Sequence, residues 1–175
     1  MTRIISIVGP ESCGKTTLAR ALAERLGASW VEEYARAYLT GRPDYDEADL
    51  EAIARGQLAL EERALDGEPS VLVLDTDMLV IRIWWQERFG RVPDWIEAAL
   101  RRQPPRAYLL TSPDLPWEPD PLREAQFDRE RLFGVYRGVL EERGAAFGIV
   151  GGTEDARLRS ALAALNRQGI SPPVD

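Results

Sequence analysis

The chain has 175 residues, 45% of them hydrophobic, and carries 29 acidic against 22 basic side chains for a net charge of −7. That balance disfavours a nucleic-acid phosphate backbone as the main partner, while a small anionic ligand held by local backbone dipoles stays compatible with it. The absence of histidine and the single cysteine, Cys13, exclude imidazole acid–base and nucleophilic chemistry, a histidine-ligated metal and an intramolecular disulfide, so carboxylates must carry any proton transfer.

In chain order, residues 3–8 form an isoleucine-rich run of the kind buried on both faces of a parallel sheet. A glycine-rich loop follows, and Leu18, Ala19, Leu22, Ala23 and Leu26 then recur at helical spacing up to the stop at Gly27. A short strand is predicted at 28–31, a helix at 33–39 and a longer amphipathic helix within 45–65. After the turn at 66–69 comes the apolar strand 70–74, ending on Asp75-Thr76-Asp77. Helices at 78–88 and 93–102 precede a fourth strand at 107–110 and a Pro-rich loop at 112–121. A long helix at 122–143, a fifth strand at 146–150 and a helix at 154–165 complete the pattern. Such alternation specifies an α/β fold of three layers, α/β/α, with a five-stranded, mostly parallel sheet and ligands at the carboxyl ends of its strands. We expect one domain over residues 1–167 and a tail at 168–175.

The N-terminal run is neither a signal peptide nor a membrane span, so the expectation is a soluble, cytoplasmic protein without a membrane partner. Residues 9–16, G-P-E-S-C-G-K-T, fit the P-loop pattern G-x-x-x-x-G-K-[ST] between a predicted strand and a predicted helix. This is the signature of a P-loop NTPase fold that binds ATP and Mg²⁺. Gly9, Glu11, Ser12, Cys13 and Gly14 supply the curled backbone whose N–H groups make an anion nest, with the helix dipole behind them. Lys15 reaches the β and γ phosphates, the Thr16 hydroxyl is a metal ligand, and Thr17 is a candidate contact to the α phosphate. Lys15 is also the sole lysine of the chain, which is hard to reconcile with a dispensable position. Cys13 serves as a small loop residue whose thiol the helix N-terminus is expected to activate.

Asp75 ends a buried strand as a carboxylate that orders the metal does. Asp77, two residues on, is expected to share its face and meet the acceptor, the competing role being a cap for the next helix. Glu33 follows the second strand at the same end of the sheet, where a carboxylate can hold or deprotonate an acceptor hydroxyl, with Arg36 one turn away to orient it. The chain lacks the N-K-x-D element of a guanine-specific GTPase. Its length suits a compact small-molecule kinase, with a lid at about residues 112–131 that carries Arg123, Arg129 and Arg131 over the nucleotide.

Four segments together, G-P-E-S-C-G-K-T-T-L at 9–18, E-Y-A-R at 33–36, L-D-T-D at 74–77 and P-W-E-P-D-P-L-R at 116–123, resemble the ribosylnicotinamide kinase domain of NadR-type proteins. Within the family pattern W-E-Y-G-R, this chain has Glu32 and Ala35 at the first and fourth positions. The resemblance implies phosphorylation of the 5′-hydroxyl of nicotinamide riboside by ATP, giving nicotinamide mononucleotide. It implies Lys15, Asp77, Glu33 and Arg123 as catalytic residues, Thr16 and Asp75 at the metal, and Glu33, Tyr34, Arg36 and Asp77 at the riboside, with Tyr34, Trp84 or Trp85 stacked on the cationic base. A kinase for another nucleoside or small alcohol, or a slow nucleotide-dependent ATPase of regulatory type, are the other readings the motifs admit. The Trp84-Trp85 pair is equally a candidate contact in a homo-oligomer.

Overall fold

A computed structural model describes residues 1–42, 44–117 and 128–170. Among the described residues there are twelve elements, five of them strands: β1 (Arg3–Val8), β2 (Ser29–Val31), β3 (Val71–Asp75), β4 (Arg106–Thr111) and β5 (Phe147–Val150). All strand pairs are parallel, in the order β2-β3-β1-β4-β5. The helices are α1 (Lys15–Leu26), α2 (Tyr34–Leu39), α3 (Glu47–Asp66), α4 (Met78–Phe89), α5 (Asp94–Arg102), α6 (Arg129–Glu142) and α7 (Glu154–Arg167). The predicted helix at 122–143 corresponds to α6; the first six residues of that prediction lie outside the described residues.

Alternation along β1 shows how the layers form. Ile5 and Ile7 point to one face, where they pack with Leu18, Leu22 and Leu26 of α1 and Ala161, Ala164 and Leu165 of α7. Val8 points to the other face, into a larger cluster built from α2, α3, α4, α5 and α6 around Leu50, Ile53, Ile81, Ile83 and Trp85. Both faces are apolar, which is why β1 and β3 read as continuous hydrophobic runs rather than alternating ones. Order reverses around β1: β2 and β3 lie on one flank of it, and the chain then crosses over to place β4 and β5 on the other. Ligands of open α/β sheets settle at such a crevice, beyond the carboxyl ends of the strands.

α4 departs from amphipathic expectation. Met78, Leu79, Val80, Ile81, Ile83 and Trp85 are all buried, because α4 is sandwiched between the sheet and α3, α5 and α6. The Trp84-Trp85 pair is therefore not an exposed patch. Trp85 is 1% exposed and donates its indole N–H to Glu47 at 2.8 Å, and Trp84 is half-buried and donates to the Tyr45 hydroxyl at 2.7 Å. Among the described residues, no helix is long and apolar enough to cross a membrane.

Candidate active site

The loop between β1 and α1 is shaped by what its glycines must avoid. Gly9 has φ 141°, and a Cβ there would lie 2.4 Å from the Thr111 hydroxyl. Gly14, at φ 71°, is the N-cap of α1, makes no side-chain cap, and faces Leu115 at 2.9 Å from where its Cβ would be. An N-terminus without a capping side chain, and without an acidic residue in its first turn, leaves amides and dipole available to an anion. The Lys15 ammonium curls back onto the loop, donating to the carbonyls of Gly9 at 3.0 Å and Pro10 at 2.7 Å.

Two arginines brace this loop from outside. Arg157 of α7, 4% exposed, donates to the Cys13 carbonyl at 3.0 Å and the Gly152 carbonyl at 2.9 Å and pairs with Asp114, which also accepts the Gly152 N–H at 2.7 Å. Arg129 donates to the carbonyls of Ser12 at 3.2 Å and Leu115 at 2.8 Å. Arg129 is thus a brace on the loop backbone rather than a charge held out over the nucleotide, and Arg131 is paired with Asp128 and Glu87. Arg123 lies outside the described residues. Nothing in the sequence marked Arg157: its target, a main-chain carbonyl 144 positions away, has no sequence signature.

Cys13 does not have the activated thiol expected of it. It is 1% exposed, its Sγ–H donates to the Glu11 carbonyl, and burial pushes its thiol up despite the charges of Lys15, Arg129 and Arg157. Desolvation here outweighs the neighbouring cations.

Asp75 is 1% exposed and neither carboxylate oxygen has a hydrogen-bond partner. Burial raises its pKa, opposed by the adjacent Thr16 hydroxyl and then by the Lys15 charge. An unsatisfied buried carboxylate next to a P-loop hydroxyl fits a magnesium site. Mg²⁺ is commonly held by one or two carboxylates, water and substrate phosphates rather than by a protein cage. In keeping with this, no group of three or more His, Cys, Asp or Glu among the described residues is placed to hold a metal alone.

Asp77 is where the sequence reading must be corrected. Thr76 adopts φ 80°, which breaks the strand geometry that would have put both aspartates on one face. Asp77 is 0% exposed, accepts the Leu79 N–H at 3.0 Å as the N-cap of α4, and pairs with Arg106 at 3.2 Å. Arg106 in turn holds Glu61 at 2.8 Å. Asp77 is a buried cap and ion-pair member and does not line the cavity described next.

That cavity, of about 390 Å³, runs from Gly9, Pro10, Glu11, Ser12 and Lys15 of the loop to Glu33 and Arg36 of the β2–α2 corner. Its far wall is Tyr45, Val80, Ile83 and Trp84, closed by Glu87, Arg88, Arg131, Leu132 and Tyr136. Glu33 pairs with Arg36 at 3.2 Å, the orientation expected of them. Tyr136, buried, has its phenol pKa pushed up chiefly by desolvation and next by the Glu33 and Glu11 charges. Trp84 meets Tyr45 edge to face at 5.1 Å, forming an aromatic wall. Tyr34 is absent from the lining. Its ring packs toward Tyr38 and over Gly56, where a Cβ would lie 2.4 Å from it, so Tyr34 supports the corner from behind instead of stacking on a ligand.

The parallel sheet, the P-loop at its topological switch and the adjoining cavity define a P-loop α/β protein of the nucleoside-kinase fold. A family model described as an AAA domain matches residues 4–157, and the chain belongs to that family. The chain is also similar to the trifunctional NAD biosynthesis/regulator protein NadR of Escherichia coli (strain K12), with 27% identity over 152 residues. Those residues are 83% of this chain and 37% of the relative, so the chain spans well under half the length of the curated protein it matches. A crystal structure of a NadR protein in complex with NR superposes with a TM-score of 0.82 at 22% identity, covering 99% of this chain and 52% of that one. Another, with NAD and AMP-PNP, gives 0.80 over the same shares. Deoxyadenosine kinase from M. mycoides shares the fold at a TM-score of 0.64 and 13% identity, covering 95% of this chain and all of the other.

Proposed function

We propose that the protein is an ATP- and Mg²⁺-dependent kinase that phosphorylates the 5′-hydroxyl of nicotinamide riboside. The observation that carries this reading is the cavity itself: Lys15 and the loop backbone share one continuous wall with Glu33 and Arg36, so a γ phosphate and an acceptor hydroxyl would meet inside it. The similarity to a NadR protein that binds NR supports nicotinamide riboside as the acceptor. A volume of about 390 Å³ is of the size that holds a small molecule, and the Trp84–Tyr45 wall gives a cationic pyridinium a π surface.

The γ phosphate is transferred in line to the acceptor. Lys15, released from the Gly9 and Pro10 carbonyls, and the loop amides stabilise the negative oxygens of the transferred group. Glu33 accepts a hydrogen bond from the acceptor hydroxyl and takes its proton, and the ion pair with Arg36 fixes the carboxylate's orientation. Thr16 and Asp75 would hold Mg²⁺, which, when bound, neutralises phosphate charge. Arg123 belongs to this reading as a cation over the phosphates. A cytoplasmic setting, in which Cys13 stays reduced, belongs to it too. The test is ADP release from Mg-ATP with and without the riboside, beside Lys15→Ala. Riboside-stimulated turnover that is absent in the variant supports the assignment. ADP release that ignores the riboside removes the acceptor from it and leaves a nucleotide-dependent ATPase.

A further inference from the structure

Gln57, in the middle of α3, is a polar side chain buried to 2% exposure. Its carboxamide is spent entirely on main chain from two separate loops. Oε1 accepts the Tyr34 N–H at 2.8 Å, and Nε2 donates to the Glu32 carbonyl at 3.3 Å and the Thr76 carbonyl at 3.4 Å. Those three partners flank the residues that matter to the cavity: Glu32 and Tyr34 bracket Glu33, and Thr76 lies between Asp75 and Asp77. One amide therefore ties the β2–α2 corner to the β3–α4 corner.

Two neighbouring features belong to the same device. The preceding residue, Gly56, leaves α3 bare where the Tyr34 ring lies against it, so the corner can approach close enough for the 2.8 Å bond. Thr76 is β-branched yet sits at φ 80°, with a buried hydroxyl that has no partner. A conformation of that kind persists when contacts over-determine it. Here they are the Thr76 N–H on the Ile7 carbonyl at 3.3 Å and the Gln57 amide on the Thr76 carbonyl.

We infer that Gln57 is a positioning residue that sets the distance between the acceptor-facing carboxylate Glu33 and the metal-facing carboxylate Asp75 without touching either ligand. The inference rests on the proposed function for what the two carboxylates do, but the clamp itself can be tested without it. Gln57→Met keeps the length of the side chain and removes all three hydrogen bonds. Gln57→Glu keeps the acceptor for Tyr34 and removes both donors, and it serves as the second variant should the first fold poorly. Amide exchange followed by NMR reads the clamp directly. Tyr34 N–H is expected to exchange at least tenfold faster in Gln57→Met and to stay protected in Gln57→Glu, with Leu18 N–H of α1 unchanged in both.

In riboside turnover, measured well below the melting temperature and normalised to Mg-ATP binding sites, both variants are expected to lose at least tenfold in kcat/KM while their affinity for Mg-ATP changes less than threefold. Unchanged Tyr34 exchange in Gln57→Met overturns the inference, as does loss of turnover only in proportion to lost nucleotide sites, which would mark Gln57 as a stabilising residue alone. If the wild type proves inactive on the riboside, the acceptor assignment falls, and the exchange measurement still decides the clamp.

Discussion

Replacing Asp75 with asparagine separates what the site costs from what it does. The carboxylate is 1% exposed with both oxygens unpartnered, and an unsatisfied buried polar group costs about 1–3 kcal/mol, more when charged. Asparagine has nearly the same shape and remains unsatisfied, so only the charged part of that penalty is recovered. The favourable interactions of the carboxylate with the Thr16 hydroxyl first, and then with Lys15 and Arg36, are weakened at the same time. The balance is a gain of about 1 kcal/mol, which for a chain of this size raises the melting temperature by about 2–4 °C. Differential scanning calorimetry without nucleotide reads this, and repeating it with Mg-ATP reads the function. The wild type gains further stability from the ligand by mass action, whereas Asp75→Asn gains far less and turns over at least roughly 10²-fold more slowly. A variant that melts below the wild type, or one stabilised by Mg-ATP to the same degree, refutes the assignment of Asp75 as a strained carboxylate kept for a metal.

Glu33→Gln is expected to cut kcat by roughly 10²-fold or more with Mg-ATP binding intact, the range of a lost general base, as steady-state kinetics with varied riboside would show. Gly56→Ala forces the Tyr34 ring aside and should cost about 1–2 kcal/mol by urea denaturation, overpacking outweighing the helix preference of alanine; in a Tyr34→Ala background the sign should reverse. Asp49 is held below its ordinary carboxylate pKa first by the Asp46 backbone N–H and then by the Tyr38 hydroxyl. Its contribution to stability is therefore present above the unfolded-state value and lost as pH falls through the folded one, so Asp49→Asn should flatten the acid side of the stability profile.

Much of the fold was legible because its signals are local and repeated. The apolar runs of β1 and β3, the glycine at the end of α1 and the P-loop pattern each constrain a short stretch, and their alternation leaves one sheet architecture. Glu33 and Arg36 were legible for the same reason, being one helical turn apart. The misreadings share a different cause. Asp77 was expected to share a face with Asp75, with a helix cap as the alternative; the cap is what forms, because the strand ends at Asp75 and the positive φ of Thr76 is not a property a threonine announces. Tyr34 was placed at the ligand by the family resemblance, yet a glycine on α3, 22 positions later in the chain, decides which way its ring lies. Arg157, Arg129 and Gln57 bind main-chain atoms of distant loops, and contacts to backbone leave no pattern in side-chain identity. Cys13 was misjudged because the helix dipole is visible in the sequence and the depth of burial is not.

The central claim is that the loop and the Glu33 wall bring one phosphoryl group and one riboside hydroxyl together. Phosphorus NMR of a reaction containing enzyme, Mg-ATP and nicotinamide riboside tests it most directly. The account predicts one new 5′-phosphomonoester resonance for each ADP formed, and none with Lys15→Ala. ADP and inorganic phosphate appearing together, at a rate independent of the riboside, would contradict it.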